Sequence, residues 1–248
     1  MANTVPLSFH SEDSACVIEI ASGIVSGISL AKAGDMALAA RLEHPDRLGF
    51  LASLGVPAHR TFGVHQVHSK DVLVIDHQEP EALVAVEADG MVTARQDVLL
   101  TVTVADCLPI FLVDKATGAF GLVHSGWKGT GIVVEAIRIM AAAFGTKTRN
   151  LAAAIGPGIG PCCYTVPRER YERFRAEFGE RSVARGPNGD FRLDLKAANV
   201  QLLEAAAVER IVVTADCSSC SPALGSFRRE GQGFRRMLAF IARVREAS

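Results

Sequence analysis

Two residues able to hold a metal or to attack carbon stand at the ends of adjoining apolar segments, Cys107 in TVADCLP and His124 in FGLVHSGWKGTG. The stretches near Ile110–Val113 and Ala119–Val123 read as strands joined by a turn over DKATG. In an antiparallel hairpin the start of one strand lies beside the end of the other, so thiol and imidazole are predicted to meet at one sheet edge. A third candidate is His68, in VHQVHSKDV. Alternation puts His65 and His68 on opposite faces, and His68, at the turn, is placed to reach outward. Two imidazoles and a thiolate suit zinc, with copper as the other candidate. Three protein ligands leave a tetrahedral ion one open position for water or substrate.

The residues that follow His124 add an anion pocket. Gly129–Gly131 open a helical pattern, and backbone N–H groups at a helix N-terminus hold phosphate well. Lys128 beside them and Arg228 in SFRREG could supply positive charge. Trp127, the one tryptophan of the chain, offers a flat face to a base or a lid to a pocket. Asp106 precedes the candidate thiol and is the candidate proton carrier or ligand-orienting group. The other cysteines carry less signal. Cys217 and Cys220 form a lone CxxC without a partner pair at zinc-ribbon spacing, and the adjacent Cys162 and Cys163 are not expected to share an ion.

The elements that position these residues follow from periodicity. Cys16–Ile20, Gly23–Leu30, Val98–Val104, Leu151–Ile155 and Ile211–Thr214 read as strands. Thr61–Gln66 and Val72–Ile75 read as a second hairpin about HSKD. Helices are predicted at Pro45–Leu54, Thr130–Phe144 (capped by Thr130), Pro167–Phe178, Leu195–Ala207 and Gly233–Arg245. Helices and strands alternate without a strict βαβ rhythm, which predicts an α+β fold, a layered sandwich with a mixed sheet and flanking helices. No linker or repeat divides the chain, so residues 1–248 are expected to form one domain.

Bulk composition limits the partners. Of 248 residues 49% are hydrophobic, ample for a core, and the formal net charge of −1 offers no basic field for nucleic acid or a membrane surface. No signal peptide or membrane span is legible, and six cysteines are too few for a disulfide scaffold, so a cytoplasmic protein acting on a small molecule is expected.

Six segments resemble a known family in order: GVHQVHSKDV, EADGMVT, TVADCLPIFLVD, LVHSGWKGT, AAIGPGIGPCCYTV and CSSCSPALGSFRREG. The match to the multicopper polyphenol oxidase (laccase-domain) family, also called YfiH or DUF152 and including bacterial peptidoglycan editing factors, spans nearly the whole chain. The resemblance implies a layered α+β sandwich similar to a bacterial toxin deamidase domain, and a metal on His68, Cys107 and His124. It also implies zinc-associated phosphorolysis of adenosine, inosine and methylthioadenosine, with adenosine deamination. The chain differs from the family pattern at Gly23-Ile24, Leu224-Gly225 and Phe234-Arg235. Two other activities fit the same residues: editing hydrolysis of a peptidoglycan precursor, and a metal-free cysteine hydrolase or deamidase with Cys107 as nucleophile and His124 as base. A multicopper laccase does not fit, because it needs a blue-copper site and a separate histidine-rich cluster. The chain has 7 histidines, and His10, His44, His59 and His77 are scattered through polar stretches.

Overall fold

The computed structural model describes residues 2–8, 13–38, 44–55 and 58–243. The larger of its sheets has seven strands, in the order β1 (Asn3–Val5), β13 (Arg210–Thr214), β10 (Leu151–Ile155), β8 (Leu108–Asp114), β9 (Phe120–Ser125), β6 (Gly90–Thr93) and β5 (Val72–Ile75). It is mixed: β1, β13 and β10 are parallel neighbours, as are β5 and β6, while β10, β8, β9 and β6 pair antiparallel. A five-stranded sheet follows the order β2 (Ala15–Val17), β3 (Ile24–Ser29), β14 (Met237–Arg243), β7 (Leu99–Val104) and β4 (Thr61–Phe62). A small ribbon joins β11 (Val183–Arg185) to β12 (Phe191–Leu193).

Period-two alternation sorts the side chains into three cores. Phe111, Val113, Phe120, Leu122, Ala152 and Ala154 of the large sheet face Leu100, Val102, Met237, Ala239 and Ile241 of the smaller one. The other face of the large sheet, with Leu108, Ile110, Leu112, Ala153 and Ile155, packs on three helices: α3 (Ile132–Phe144), α4 (Arg168–Phe178) and α5 (Leu195–Ala205). The outer face of the smaller sheet, with Leu99, Leu238 and Phe240, is covered by Phe50 and Leu51 of α1 (Pro45–Ser53). Two short helices, α2 (Pro80–Leu83) and α6 (Phe227–Glu230), lie in connections. The result is a helix–sheet–sheet–helix sandwich of mixed α and β structure. No helix among the described residues is long and apolar enough to cross a membrane.

Three elements differ from the sequence expectation. The final segment is the strand β14, inserted between β3 and β7, rather than a helix over Gly233–Arg245, whose last two residues lie outside the described residues. Both faces of β14 are buried, so its apolar run MLAFIA lacks the alternation that marks a half-exposed strand. The hairpin of Thr61–Gln66 with Val72–Ile75 does not form. β4 pairs parallel with β7 in one sheet and β5 parallel with β6 in the other, so the chain between them crosses from sheet to sheet. Finally, Thr130 does not cap α3. Its hydroxyl donates to the Gly126 carbonyl at 2.8 Å, and Gly131, at φ 103°, is the N-cap.

Phe111 is fully buried between the sheets. Phe111→Ala is expected to cost about 3–5 kcal/mol of stability, as aromatic truncation in a packed core does. Chemical denaturation followed by far-ultraviolet circular dichroism measures it.

Candidate active site

The β8–β9 hairpin sets the first two functional groups. Leu108 pairs with Ser125 and Pro109 with His124, so Cys107, just before β8, lies beside His124 on β9. His68 arrives from the crossing segment between β4 and β5. It holds φ at 62°, a left-handed conformation that a non-glycine residue adopts only when its surroundings enforce it. The ligand-capable atoms of His68, Cys107 and His124 all lie within 4.8 Å of one another. The two imidazoles meet edge to face with centroids 4.9 Å apart. Gly126 makes this convergence possible: a Cβ there would stand 2.7 Å from the Cys107 sulfur and 3.1 Å from His68 Cδ2.

Asp89, which sequence reasoning missed, holds the site together. Its carboxylate is fully buried. One oxygen accepts a hydrogen bond from His124 Nδ1 at 2.7 Å. The other accepts from the Val67 amide at 3.1 Å, the Ser69 amide at 2.6 Å and the Ser69 hydroxyl at 3.0 Å. One side chain therefore orients His124 and ties down the backbone on both sides of His68. Burial alone would raise the Asp89 pKa, but the bonds from His124 and Ser69 outweigh it and keep the carboxyl below its ordinary range. Its signal in the sequence was EADGMVT, where an acidic residue stands at the mouth of a fully buried strand.

The charges in this cluster reinforce one another. Burial would raise the Cys107 thiol, yet His124 and then His68 bring it down to about 6. Burial would likewise lower His124, but the Cys107 thiolate and Asp89 raise it to about 9. With Nδ1 taken by Asp89, Nε2 of His124 is the ring nitrogen left for an ion or a proton, the arrangement in which a carboxylate fixes the tautomer of a ligating imidazole.

The trio opens into a cavity of about 580 Å³, within the range of small-molecule sites. Trp127, Tyr164, Phe227 and Phe234 supply aromatic wall, and Lys128, Arg170, Arg228 and Arg236 supply positive charge. Burial first, and the Cys107 thiolate second, push the Tyr164 phenol up to about 12, so it keeps its proton. One face of Trp127 is already covered by Arg170, 4.4 Å from the ring centroid. The more exposed aromatic pair is Phe227 and Phe234, edge to face at 5.1 Å. Arg228 spends part of its guanidinium on the Cys163 and Thr165 carbonyls, at 2.9 and 3.1 Å. Gly129 does not line the cavity. It packs against the Ser69 carbonyl, which a Cβ would approach to 2.8 Å.

Asp106, at φ 87°, is fully engaged. Ser218 and Ser226 hydroxyls donate to Oδ1 at 2.6 and 2.7 Å, and the Arg228 amide to Oδ2 at 2.7 Å. It anchors the 218–228 loop to the turn that carries Cys107. His65 is exposed and outside the trio, whereas the cysteines set apart by sequence spacing come together. Cys162, Cys163, Cys217 and Cys220 place their sulfurs within 4.8 Å of one another. Spacing along the chain could not show this, because two loops far apart in sequence supply the pairs.

A family model described as multi-copper polyphenol oxidoreductase laccase matches residues 42–244. The chain belongs to this family. Purine nucleoside phosphorylase YlmD of Geobacillus stearothermophilus is similar to this laccase-family chain, 35% identical over 207 residues that cover 78% of the chain and 76% of the relative. Adenosine deaminase RL5, from an unknown prokaryotic organism, is 37% identical over 188 residues, 70% of the chain and 71% of that protein. The crystal structure of YlmD from the same Geobacillus species superposes with a TM-score of 0.85 at 29% identity, covering 97% of this chain and 100% of that one. The laccase-family sandwich is therefore shared over nearly its full extent, and relatives named for purine nucleoside chemistry support that activity at family level.

Replacing Asp89 by Asn keeps the shape and removes the charge that orients His124. The expected outcome is a 10- to 100-fold weaker metal affinity at the trio, on the order seen when a partner of a ligating histidine is lost. Chelator competition, with His124→Ala as the reference for complete loss of the site, measures it.

Proposed function

We propose that this chain is a purine nucleoside phosphorylase with adenosine deaminase activity, working in the cavity above His68, Cys107 and His124. The observation that carries the reading is that an open-sided Cys/His trio shares one cavity with aromatic walls and a ring of cations. A purine fits the aromatic part, and phosphate fits Lys128, Arg170 and Arg228. The names carried by the relatives point the same way. The trio also suits a metal: its donors are close enough to share one ion, and Asp89 already holds the second nitrogen of His124. Zinc is our choice for a Cys/His set, with copper second. When bound there, the ion would supply Lewis acidity that makes water a nucleophile near neutral pH.

The chain's own groups account for the rest. In phosphorolysis a phosphate oxygen bonds to the anomeric carbon as the bond to the purine breaks, and the electron pair leaves with the base. Lys128 and Arg228 would hold the phosphate against that carbon, while Gly129, packed away from the cavity, takes no part. Tyr164, which stays protonated, is a donor available to the departing base. Asp106 would act by position, holding the loop of Arg228. One domain spanning residues 1–248, whose substrates are small molecules, completes the reading.

The oxidase in the family's description does not suit these residues. Among the described residues only the trio and the four-cysteine group bring three or more metal-capable side chains together, and His44, His59, His65 and His77 belong to neither. His10 lies outside the described residues. A trinuclear copper centre needs more imidazoles than this. A second reading has its own observation, since Cys107, His124 and Asp89 stand in the order nucleophile, base and orienting carboxylate, as in a cysteine hydrolase.

Adenosine incubated with the protein should yield adenine and ribose 1-phosphate only when phosphate is supplied. Lys128→Ala or Arg228→Ala should raise the phosphate KM about tenfold or more, the worth of a charge-assisted hydrogen bond, with a smaller effect on deamination. Cys107→Ala should impair both reactions. Chromatographic product analysis decides: no consumption of any purine nucleoside, with hydrolysis of a muramyl-peptide precursor, would transfer the site to peptidoglycan editing. Activity retained after chelation, then abolished by a thiol alkylator, would favour the cysteine hydrolase.

A further inference from the structure

Away from the trio, two loops meet at Cys162, Cys163, Cys217 and Cys220. The first loop leaves β10 through Gly156–Pro161, and the second leaves β13. A parallel bridge between Gly158 and Cys217 and the Ser218 amide bonded to the Gly158 carbonyl at 3.0 Å hold them in register. Gly160 is tight here, where a Cβ would stand 3.2 Å from the Cys162 sulfur and 3.3 Å from Cys217 Cβ. We propose that these four sulfurs form a second metal centre, a closed tetrathiolate site for zinc that serves structure.

The geometry suits that ion. A zinc–sulfur bond of about 2.3 Å puts tetrahedral sulfurs about 3.8 Å apart. Here Cys162–Cys220 and Cys163–Cys220 stand 3.6 and 3.4 Å apart, and every pair lies within 4.8 Å. These spacings are well beyond the roughly 2.05 Å of a disulfide, and all the cysteines are free. The surroundings match a net-negative metal centre. The Gly160 amide donates to the Cys217 sulfur at 3.2 Å. Arg192 donates to the Cys162 carbonyl at 3.0 Å, Arg228 to the Cys163 carbonyl at 2.9 Å, and Lys196 to the Thr214 and Asp216 carbonyls at 2.6 and 2.7 Å. Three cationic side chains thus bond the backbone of the loops that carry the four sulfurs, Arg192 also pairing with Asp190, and amide–sulfur bonds such as that of Gly160 orient ligands and spread their charge. Four sulfurs leave no open position, which separates this site from the open trio.

Its place in the fold gives it a task. The same loops carry Ile159, Tyr164 and Arg228 into the cavity wall, and the Ile159 amide and Ser218 hydroxyl both bond to Asp106, beside Cys107. An ion on the four sulfurs would tie both loops together and fix that wall. The assignment stands whether or not the cavity turns over purine nucleosides.

The test uses the full chain with the trio disabled by Cys107→Ala. Elemental analysis of this variant, purified without added metal, should still find about one zinc per chain, held by the closed site. The four thiols should resist a disulfide reagent until a strong chelator is added. Cobalt added to the zinc-stripped variant should develop intense thiolate-to-cobalt charge-transfer bands and the visible bands of a tetrahedral site, and Cys220→Ser should weaken them. Should Cys220→Ser fail to fold, the cobalt spectrum of Cys107→Ala decides alone. Zinc at background level with no cobalt spectrum would overturn the proposal, as would a disulfide among the four found by mass spectrometry of the native chain.

Discussion

The site depends on one buried carboxylate. Asp89 has no exposed surface, and its carboxylate bonds only to the trio or its support: His124 through Nδ1, and the segment around His68 through the Val67 and Ser69 amides and the Ser69 hydroxyl. A charge taken out of water at this depth is tolerable only when its oxygens are fully bonded, and here they are. The arrangement also explains the left-handed His68, whose neighbours on both sides are tethered to the same oxygen while its side chain is turned toward Cys107. The Asp89 backbone takes part as well, since its carbonyl accepts from the His124 amide at 2.7 Å. Asp89, just before β6, and His124 on β9 are thus joined twice.

A second carboxylate does for the opposite wall what Asp89 does for the trio. Asp106 gathers the Ser218 and Ser226 hydroxyls and the Arg228 amide, and these bonds hold the loop that brings Phe227 and Arg228 to the cavity. The two aspartates bracket Cys107, one acting through His124 and the other through the turn before β8. The walls between them are unlike in character, with aromatic rings and cations facing the trio. That combination favours a ligand with a flat apolar part and an anionic part, which is what the proposed function asks of it.

The laccase name and the residues answer different questions. Membership of the family rests on the match over residues 42–244 and on the shared sandwich. The chemistry has to be argued from side chains, because one fold hosts many reactions. Among the described residues the side chains form one trio of nitrogen and sulfur donors and one group of four sulfurs, which is a poor basis for oxidising phenols with several coppers.

Local chemistry alone determined the β8–β9 hairpin, the meeting of Cys107 with His124 and the helices α3, α4 and α5. Each follows from short-range periodicity or from a turn, where neighbours in sequence are neighbours in space. The family motifs were legible for the same reason, being short runs around those turns. What lay beyond reach required long-range pairing. β14 is buried on both faces by elements distant in the chain, so its pattern could not be told from a helix. The segment around His68 crosses between sheets because β4 and β5 each found a parallel partner elsewhere. Asp89 gains its importance only from groups 20 to 35 positions away. The four cysteines meet across 57 and 58 positions because β10 and β13 lie side by side and deliver their loops to the same end of the sheet. Sequence spacing reports the local part of the structure, and tertiary packing alone decides which distant loops share a point in space.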